Sequence, residues 1–412
     1  MFNLMKIAVR NLMRYKRRTF LTSSLITMGV IFVLVFIALS GSFKHMMVSQ
    51  ITDSFLGHIQ IHQKGYVASI DTLPLTMNMG NQAIEKVKKA INNVPEIEAY
   101  SMRIKFGGMF SNFVETTNIR LNGVYPGEEI NTVPLFPARI IKGKKSITKG
   151  EILVPELLAK GMKVTIGDMI VIVATNKDGS VNGKQFKVGG ILESATGPGG
   201  RDGYIHIDDA LEVLRMDDGQ ISEIALRINN FANLDAVHAK LGNILLKELN
   251  KAGKPAFEVH TWEKLSPFYN IARMIDLMTF SIKLMLIAIV LISIMNVMIM
   301  AVYERIREIG TIAAIGTSPK KILSMFLIEG FSLGVFGALI GNVIGVSVVY
   351  ILNISKITFD FGRQTGLVLE PTVNLSDIIA ISTIVIVVSV LASLQPAFKA
   401  SRMEPIKALR HV

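Results

Sequence analysis

The 412-residue chain has no cysteine, and only 18% of its residues are charged while 50% are hydrophobic. The missing cysteine excludes a disulfide scaffold. Soluble domains average near a quarter charged. So low a charge, with a mean hydropathy of +0.44, excludes a disordered chain or a collagen-like fibre and argues against a single soluble globule. Nucleotide chemistry is missing too. No G-x-x-x-x-G-K-[ST] phosphate loop occurs, and the glycine-rich stretch Gly197 to Gly203 lacks the lysine and the flanking helix such a loop needs. With no nucleophile elbow and no zinc motif either, the chain offers no catalytic residue and no means of hydrolysing ATP itself.

The formal net charge is +12, yet it is concentrated. Residues 1–18 carry six basic and no acidic side chains, 303–321 four basic and two acidic, and 399–412 four basic and one acidic. Together these segments hold +11, so the rest is nearly neutral and a general nucleic-acid binder is excluded. Each basic patch borders an apolar run. Thr19 to Phe43, Leu284 to Tyr303, Gly330 to Ser355 and Ile378 to Phe398 have no charged residue over 25, 20, 26 and 21 positions. About 20 apolar residues cross a hydrocarbon core of roughly 30 Å as a helix. Four spans follow, at 19–43, 279–303, 322–355 and 377–398. The first run is far longer than the 7–15 residues of a signal-peptide core.

Arg10, Arg14, Lys16, Arg17 and Arg18 precede the first span, Arg305, Arg307, Lys320 and Lys321 lie between spans two and three, and Lys399, Arg402, Lys407 and Arg410 follow span four. All fall on one side of an alternating topology, so the positive-inside rule makes both termini cytoplasmic. Residues 44–275 then form a large domain on the far side, 304–321 a cytoplasmic hairpin, 356–376 a far-side loop and 399–412 a cytoplasmic tail. Residues 1–18 read as an amphipathic interfacial helix, with Phe2, Met5, Val9 and Leu12 on one face and the basic residues on another, lying on the lipid bilayer or against a cytoplasmic partner.

The far-side domain reads as α+β. Strands at 58–62 and 97–106 flank a helix at 81–93, and strands at 221–228 and 256–260 flank a helix at 234–249, giving two β-α-β halves of one lobe. A β-rich segment at about 140–215 reads as a smaller lobe inserted into it. Phe43 to Phe55 and Glu263 to Met278 are expected to continue spans one and two as stalk helices. The fold class is an α-helical membrane protein with a large extracytoplasmic α+β domain.

The hairpin is the most informative stretch. Val302, Ile306, Ile309 and Ala313 follow helical spacing, so span two is expected to continue as an amphipathic helix capped at Gly316, with Ser318-Pro319 opening span three. A membrane loop has nothing to bury on such a stripe, whereas a soluble partner would supply a surface. The five glycines at 330, 334, 337, 341 and 345 read as a helix-packing face. Lys283 and Glu329 sit near the ends of spans two and three, too shallow for an ion relay, and Asn296 and Asn342 are placed to hydrogen-bond across helices. His58 and His62 share a strand face, but no carboxylate or cysteine joins them in sequence as a metal site.

These segments together resemble the permease superfamily of MacB-type exporters, LolC/LolE-type lipoprotein-releasing permeases and FtsX-type cell-division proteins. The resemblance is carried by A-V-R-N-L at 8–12, E-R-I-R-E-I-G-T-I-A-A-I-G at 304–316 and P-A-F-K-A-S-R-M-E-P-I-K-A-L-R at 396–410. Asn122 to Pro126 and Val188 to Ile207 resemble the family's extracytoplasmic domain, a porter-like lobe with an inserted β lobe. The resemblance implies a dimer with a second permease, identical or paralogous, on a cytoplasmic ABC ATPase dimer in the bacterial inner membrane. ATP and magnesium would then lie on that ATPase, with no cofactor on this chain. Glu304, Arg305, Ile306, Arg307, Glu308, Ile309, Gly310, Ile312, Ala313 and Gly316 would receive the ATPase's closure, and the stalks would carry the motion outward. Length, the unfused ATPase and G-H-I-Q-I-H-Q-K-G-Y at 57–66 point to the lipoprotein-releasing branch. Acyl chains would then enter between spans one and two past Phe43, Met47, Met274 and Met278. A periplasmic carrier is a further candidate partner, although the hairpin around Asn176 to Gly183 is shorter than a carrier-recruiting hook. Efflux with a periplasmic adaptor and signalling to a cell-wall hydrolase are the alternatives.

Overall fold

Four helices are long and apolar enough to cross a membrane in the computed structural model. They run Lys16–Ile51, Tyr269–Glu304, Pro319–Ile354 and Leu375–Ser401, enclosing or nearly matching the expected spans. At 1.5 Å per residue the 36-residue helices are about 54 Å long, well over a hydrocarbon core. The structure describes residues 14, 16–194, 202–216, 219–361 and 364–404. Residues 1–13 and 15 of the interfacial helix expected over 1–18, Arg10 among them, with the Arg18 side chain, the Gly197–Gly200 turn, and the tail residues Lys407 and Arg410, lie outside them. The chain divides into two compact units, one holding residues 1–45, 272–359 and 367–412 and the other 46–271 and 360–366.

The helical unit is organised by the glycines of the third span. A Cβ at Gly330 would stand 2.7 Å from Ser393 Cβ and one at Gly334 the same distance from Ser389 Cβ, both on the fourth span. Further along, a Cβ at Gly337 would stand 2.5 Å from Ile26 Cγ2, and one at Gly341 2.7 Å from Val30 Cβ, both on the first span. The row therefore lets the third helix lie backbone-close to two neighbours in turn, the packing use of small residues in lipid. The second span packs instead with large side chains. Leu286, Val290, Ile294 and Met298 join the same buried cluster as Val30, Phe326 and Val385. Asn342 Nδ2 donates to Ser382 Oγ at 2.7 Å across helices three and four, as expected, while Asn296 is exposed.

In the other unit, strands β1 (Ile59–Gln63), β2 (Ile97–Ser111), β3 (Thr116–Val124), β4 (Ile140–Gly143), β5 (Glu151–Pro155), β6 (Met169–Thr175), β7 (Val181–Leu192), β8 (Asp202–His206), β9 (Glu223–Ile228) and β10 (Phe257–Thr261) form one mixed sheet. Its order is β10-β1-β9-β2-β3-β8-β5-β7-β4, with β6 bridging β2 and β7. The two β-α-β halves interleave: β1 lies between β9 and β10, and β9 pairs with β2. Their helices, α1 (Asn81–Asn92) and α2 (Leu234–Leu245), bury Ile84, Val87 and Ile91, and Val237 and Leu241. The β-rich segment joins the lobe through the parallel pairing of β8 with β3, and Phe136, Ile140, Leu153, Leu192 and Tyr204 close its core.

Two expectations are corrected. The stalk stretch Glu263 to Met278 is not one helix: a short helix Trp262–Leu265 stops at extended Ser266, and the long helix starts at Tyr269. Pro267 is the cause, because it disfavours helical backbone in the residue before it. The first helix, by contrast, runs on without a break into a π-helical turn at Thr52–Leu56. The loop expected at 356–376 contains a hairpin, Thr358–Phe361 with Gln364–Val368, which no alternation signal announced.

Candidate functional site

The hairpin between the second and third spans is a separate helix. The second span ends at Glu304, and the hairpin helix runs Ile306–Ala314. Between them Arg305 has φ −114° and ψ 20°, outside the helical region, so the expected uninterrupted continuation of span two is broken at this residue. The stop at the other end follows the sequence. Gly316 has φ +95°, its N–H donates to Ala313 O at 3.0 Å, and Thr317 N–H reaches Ile312 O at 3.2 Å. That is a glycine-terminated Schellman closure, which a side chain would strain. Pro319 then opens the third span at its first turn.

The apolar stripe of this helix is already covered. Val302, Ile306 and Ile309 are buried, and Val302 and Ile309 belong to the bundle's own core with Ala313 packed against it. The inference that a soluble partner must supply its surface is therefore corrected: the stripe locks the hairpin helix onto its own bundle. What faces outward is Glu304, Arg307, Thr311, Ala314, Ile315 and Gly316. Ile315 is 80% exposed. Of the sequence-assigned coupling residues, Glu304, Arg307 and Gly316 lie on the open face, Glu308, Ile312 and Ala313 are half-buried, and Arg305, Ile306, Ile309 and Gly310 are buried. Ile315 and Thr311 complete the open face, and the helical-stripe reading had no reason to select them.

Charges tie the hairpin down. Arg305 Nε donates to Glu308 Oε2 at 3.0 Å, Arg14 Nη1 lies 3.4 Å from Glu308 Oε1, and Arg305 Nη1 lies 3.7 Å from Glu329 Oε2. Arg14, Lys16 and Arg17 are exposed. Beside the hairpin, Val302, Tyr303, Pro396 and Lys399 line an apolar cleft of about 100 Å³, with the Lys399 ammonium 5.8 Å from the Tyr303 ring centre.

The residues assigned to an acyl-chain path are not equivalent. Met274 and Met278 are each about half exposed, whereas Met47 is fully buried and so lines no open path. Phe43 packs edge-on against Phe359 at 5.2 Å. Next to it, Lys44 Nζ binds Asp276 at 2.7 Å and Ser40 Oγ lies 3.3 Å from Thr279 Oγ1, holding the first and second helices together.

In the α+β unit the histidines are engaged by carboxylates rather than by one another. His58 Nε2 lies 3.3 Å from Asp53 Oδ1 while its Nδ1 accepts from Ile228 N–H, and His62 Nε2 lies 3.4 Å from Glu223 Oε2. Among the described residues no group of three His, Asp or Glu side chains converges as a metal site.

Two family descriptions match the chain. The MacB-like periplasmic core domain matches residues 19–244, over half of it, and the FtsX-like permease C-terminal domain matches residues 280–405. The lipoprotein-releasing system transmembrane protein LolC of Neisseria meningitidis is 24% identical over 326 residues, covering 74% of this chain and 75% of that one. The macrolide export ATP-binding/permease protein MacB of Bdellovibrio bacteriovorus is 28% identical over 61% of this chain and 37% of its own length. A crystal structure of the periplasmic region of MacB from Actinobacillus actinomycetemcomitans superposes with a TM-score of 0.35 and 12% identity, over 51% of this chain and 92% of that one.

Proposed function

The chain belongs to the MacB- and FtsX-like permease family, as an ABC transporter permease of the LolC/MacB/FtsX type, and we propose that it releases lipoproteins from the inner membrane by transmitting force rather than by opening a channel. On this reading both termini and the hairpin are cytoplasmic, residues 44–275 are periplasmic, and the chain pairs with a second permease on an ATPase dimer that carries the ATP and magnesium. The observation that carries it is the hairpin helix: its apolar stripe is seated in the bundle while Glu304, Arg307, Thr311 and Ile315 face outward. A rigid handle with a mixed apolar and charged face suits a soluble partner whose closing movement it must pass on.

The LolC relative, matched over three quarters of each chain, favours a lipoprotein as cargo. Met274 and Met278, half exposed beside the Lys44–Asp276 pair, are then where acyl chains first meet the protein, since methionine adapts to irregular apolar ligands. The MacB relative favours a second reading, efflux of a small molecule or peptide with a periplasmic adaptor. The test is ATP turnover of the complex purified from its native membrane and reconstituted in nanodiscs. A triacylated lipoprotein is expected to stimulate it and to co-purify. Stimulation by a macrolide or peptide instead, with an adaptor co-purifying, selects the second reading.

A further inference from the structure

Glu329 lies ten residues inside the third span, about 15 Å along it, buried beside Phe326 and Gly330. An ionised carboxylate in such surroundings is unfavourable unless it is paired. Arg305, equally buried, forms an ion pair with it, Nη1 lying 3.7 Å from Glu329 Oε2. Arg305 is the joint between the second span and the hairpin helix, the residue where helical backbone is interrupted. Its backbone hydrogen bonding there is irregular, so its side-chain partners do much to fix where the joint sits. Arg305 also holds Glu308, and Glu308 meets Arg14. The four charges cancel, and they connect the start of the first span, the hairpin helix, the joint and the third span.

We propose that Glu329 is a positioning residue for the coupling hairpin: through Arg305 it fastens the joint to the third span, so that a push on the hairpin helix moves that span with it. From the third span the glycine row passes the movement to spans one and four. Glu329 itself touches neither the ATPase nor cargo. The inference rests on the reading of the hairpin as the coupling element. A buried pair kept only for stability can be replaced by apolar residues of similar size with little loss. A pair that fixes a joint cannot, because apolar contact lacks the directionality that sets the joint's position.

The cysteine-free chain allows direct labelling. Spin labels at Thr311→Cys and Val343→Cys, both exposed, report the distance from hairpin helix to third span in the full complex, without nucleotide and trapped with ATP and vanadate. In the native background the distance is expected to stay constant on trapping. In Glu329→Gln and in the apolar double variant Arg305→Met/Glu329→Leu it should shift by about 2 Å or broaden. The apolar double variant should nonetheless unfold at a temperature no lower than the native chain. A distance that changes in the native background, or stays constant in both disrupted variants, overturns the proposal. Shielding of a label at Ile315→Cys by the bound ATPase checks the parent reading separately. If it is absent, the hairpin is not the coupling element. If it is present while Glu329→Gln changes nothing, only the role of Glu329 falls.

Discussion

The Arg103 guanidinium donates from Nη1 to Glu223 Oε1 at 3.1 Å, and neither side chain reaches water. The two residues face each other across β2 and β9. Arg103 also gives Nε to Glu129 at 2.9 Å and Nη1 to Phe55 O at 2.7 Å, while Lys105 and His62 complete the surroundings of Glu223. Burial works against the ionised form of Glu223, but Lys105, the His62 hydrogen bond and Arg103 outweigh it and hold the carboxyl below the usual range.

Removing Arg103 takes a counter-charge from two buried carboxylates, Glu129 and Glu223, leaving Lys105 beside the second, so Arg103→Met is expected to destabilise the protein by about 3–5 kcal/mol. Denaturant unfolding of the full chain in detergent measures this. A loss below about 1 kcal/mol would mean that water replaces the guanidinium, contrary to a closed cluster.

His260 on β10 gives a pH dependence. Burial, with Lys264 nearby, lowers its pKa from 6.5, only partly opposed by Glu258. A histidine harder to protonate folded than unfolded contributes stability above its ordinary pKa, and that contribution is lost as pH falls through and below 6.5. The unfolding temperature is expected to drop over that window, and His260→Gln should flatten this part of the profile. An identical slope in the variant would assign the effect elsewhere.

Gly337→Val tests the third span. Even a methyl there would stand 2.5 Å from Ile26 Cγ2, so the larger side chain is expected to cost about 1–3 kcal/mol. Shortening the neighbour in Gly337→Val/Ile26→Ala should recover part of it, as contacting residues couple. Full additivity in thermal unfolding would place the strain somewhere other than this contact.

Photo-crosslinking separates the proposed acyl-path residues. A crosslinking side chain at Met278, about half exposed, is expected to capture a triacylated lipoprotein, whereas one at fully buried Met47 captures none. Equal capture at both positions would mean that the first span opens far more than its packing suggests.

Much of this architecture was legible in the sequence because lipid imposes strict terms. Charge-free runs of 20 or more residues have few other uses, and a glycine every third or fourth position marks a close contact. The hairpin cap at Gly316 was legible for a similar reason, since few residues tolerate its φ. Periodicity named the right buried positions at 302, 306 and 309 but not what covers them, because an apolar stripe looks the same whether its partner is another protein or the chain's own bundle. The break at Arg305 was hidden for a related reason: arginine carries no helix-stopping signal, and the carboxylates that hold it come from positions 308 and 329. The Arg103 cluster was likewise invisible, its members brought together only by strand register.

Along its glycine row the third span meets the first and fourth through bare backbone, and the second span packs through Leu286, Val290, Ile294 and Met298. These two kinds of contact age differently under load. Glycine-seated helices cannot slide without their backbones colliding, so that seam behaves as a weld. Leucine and methionine can change rotamer and re-form similar contacts a fraction of a turn away, so the second span is set in the bundle as a piston is set in its sleeve.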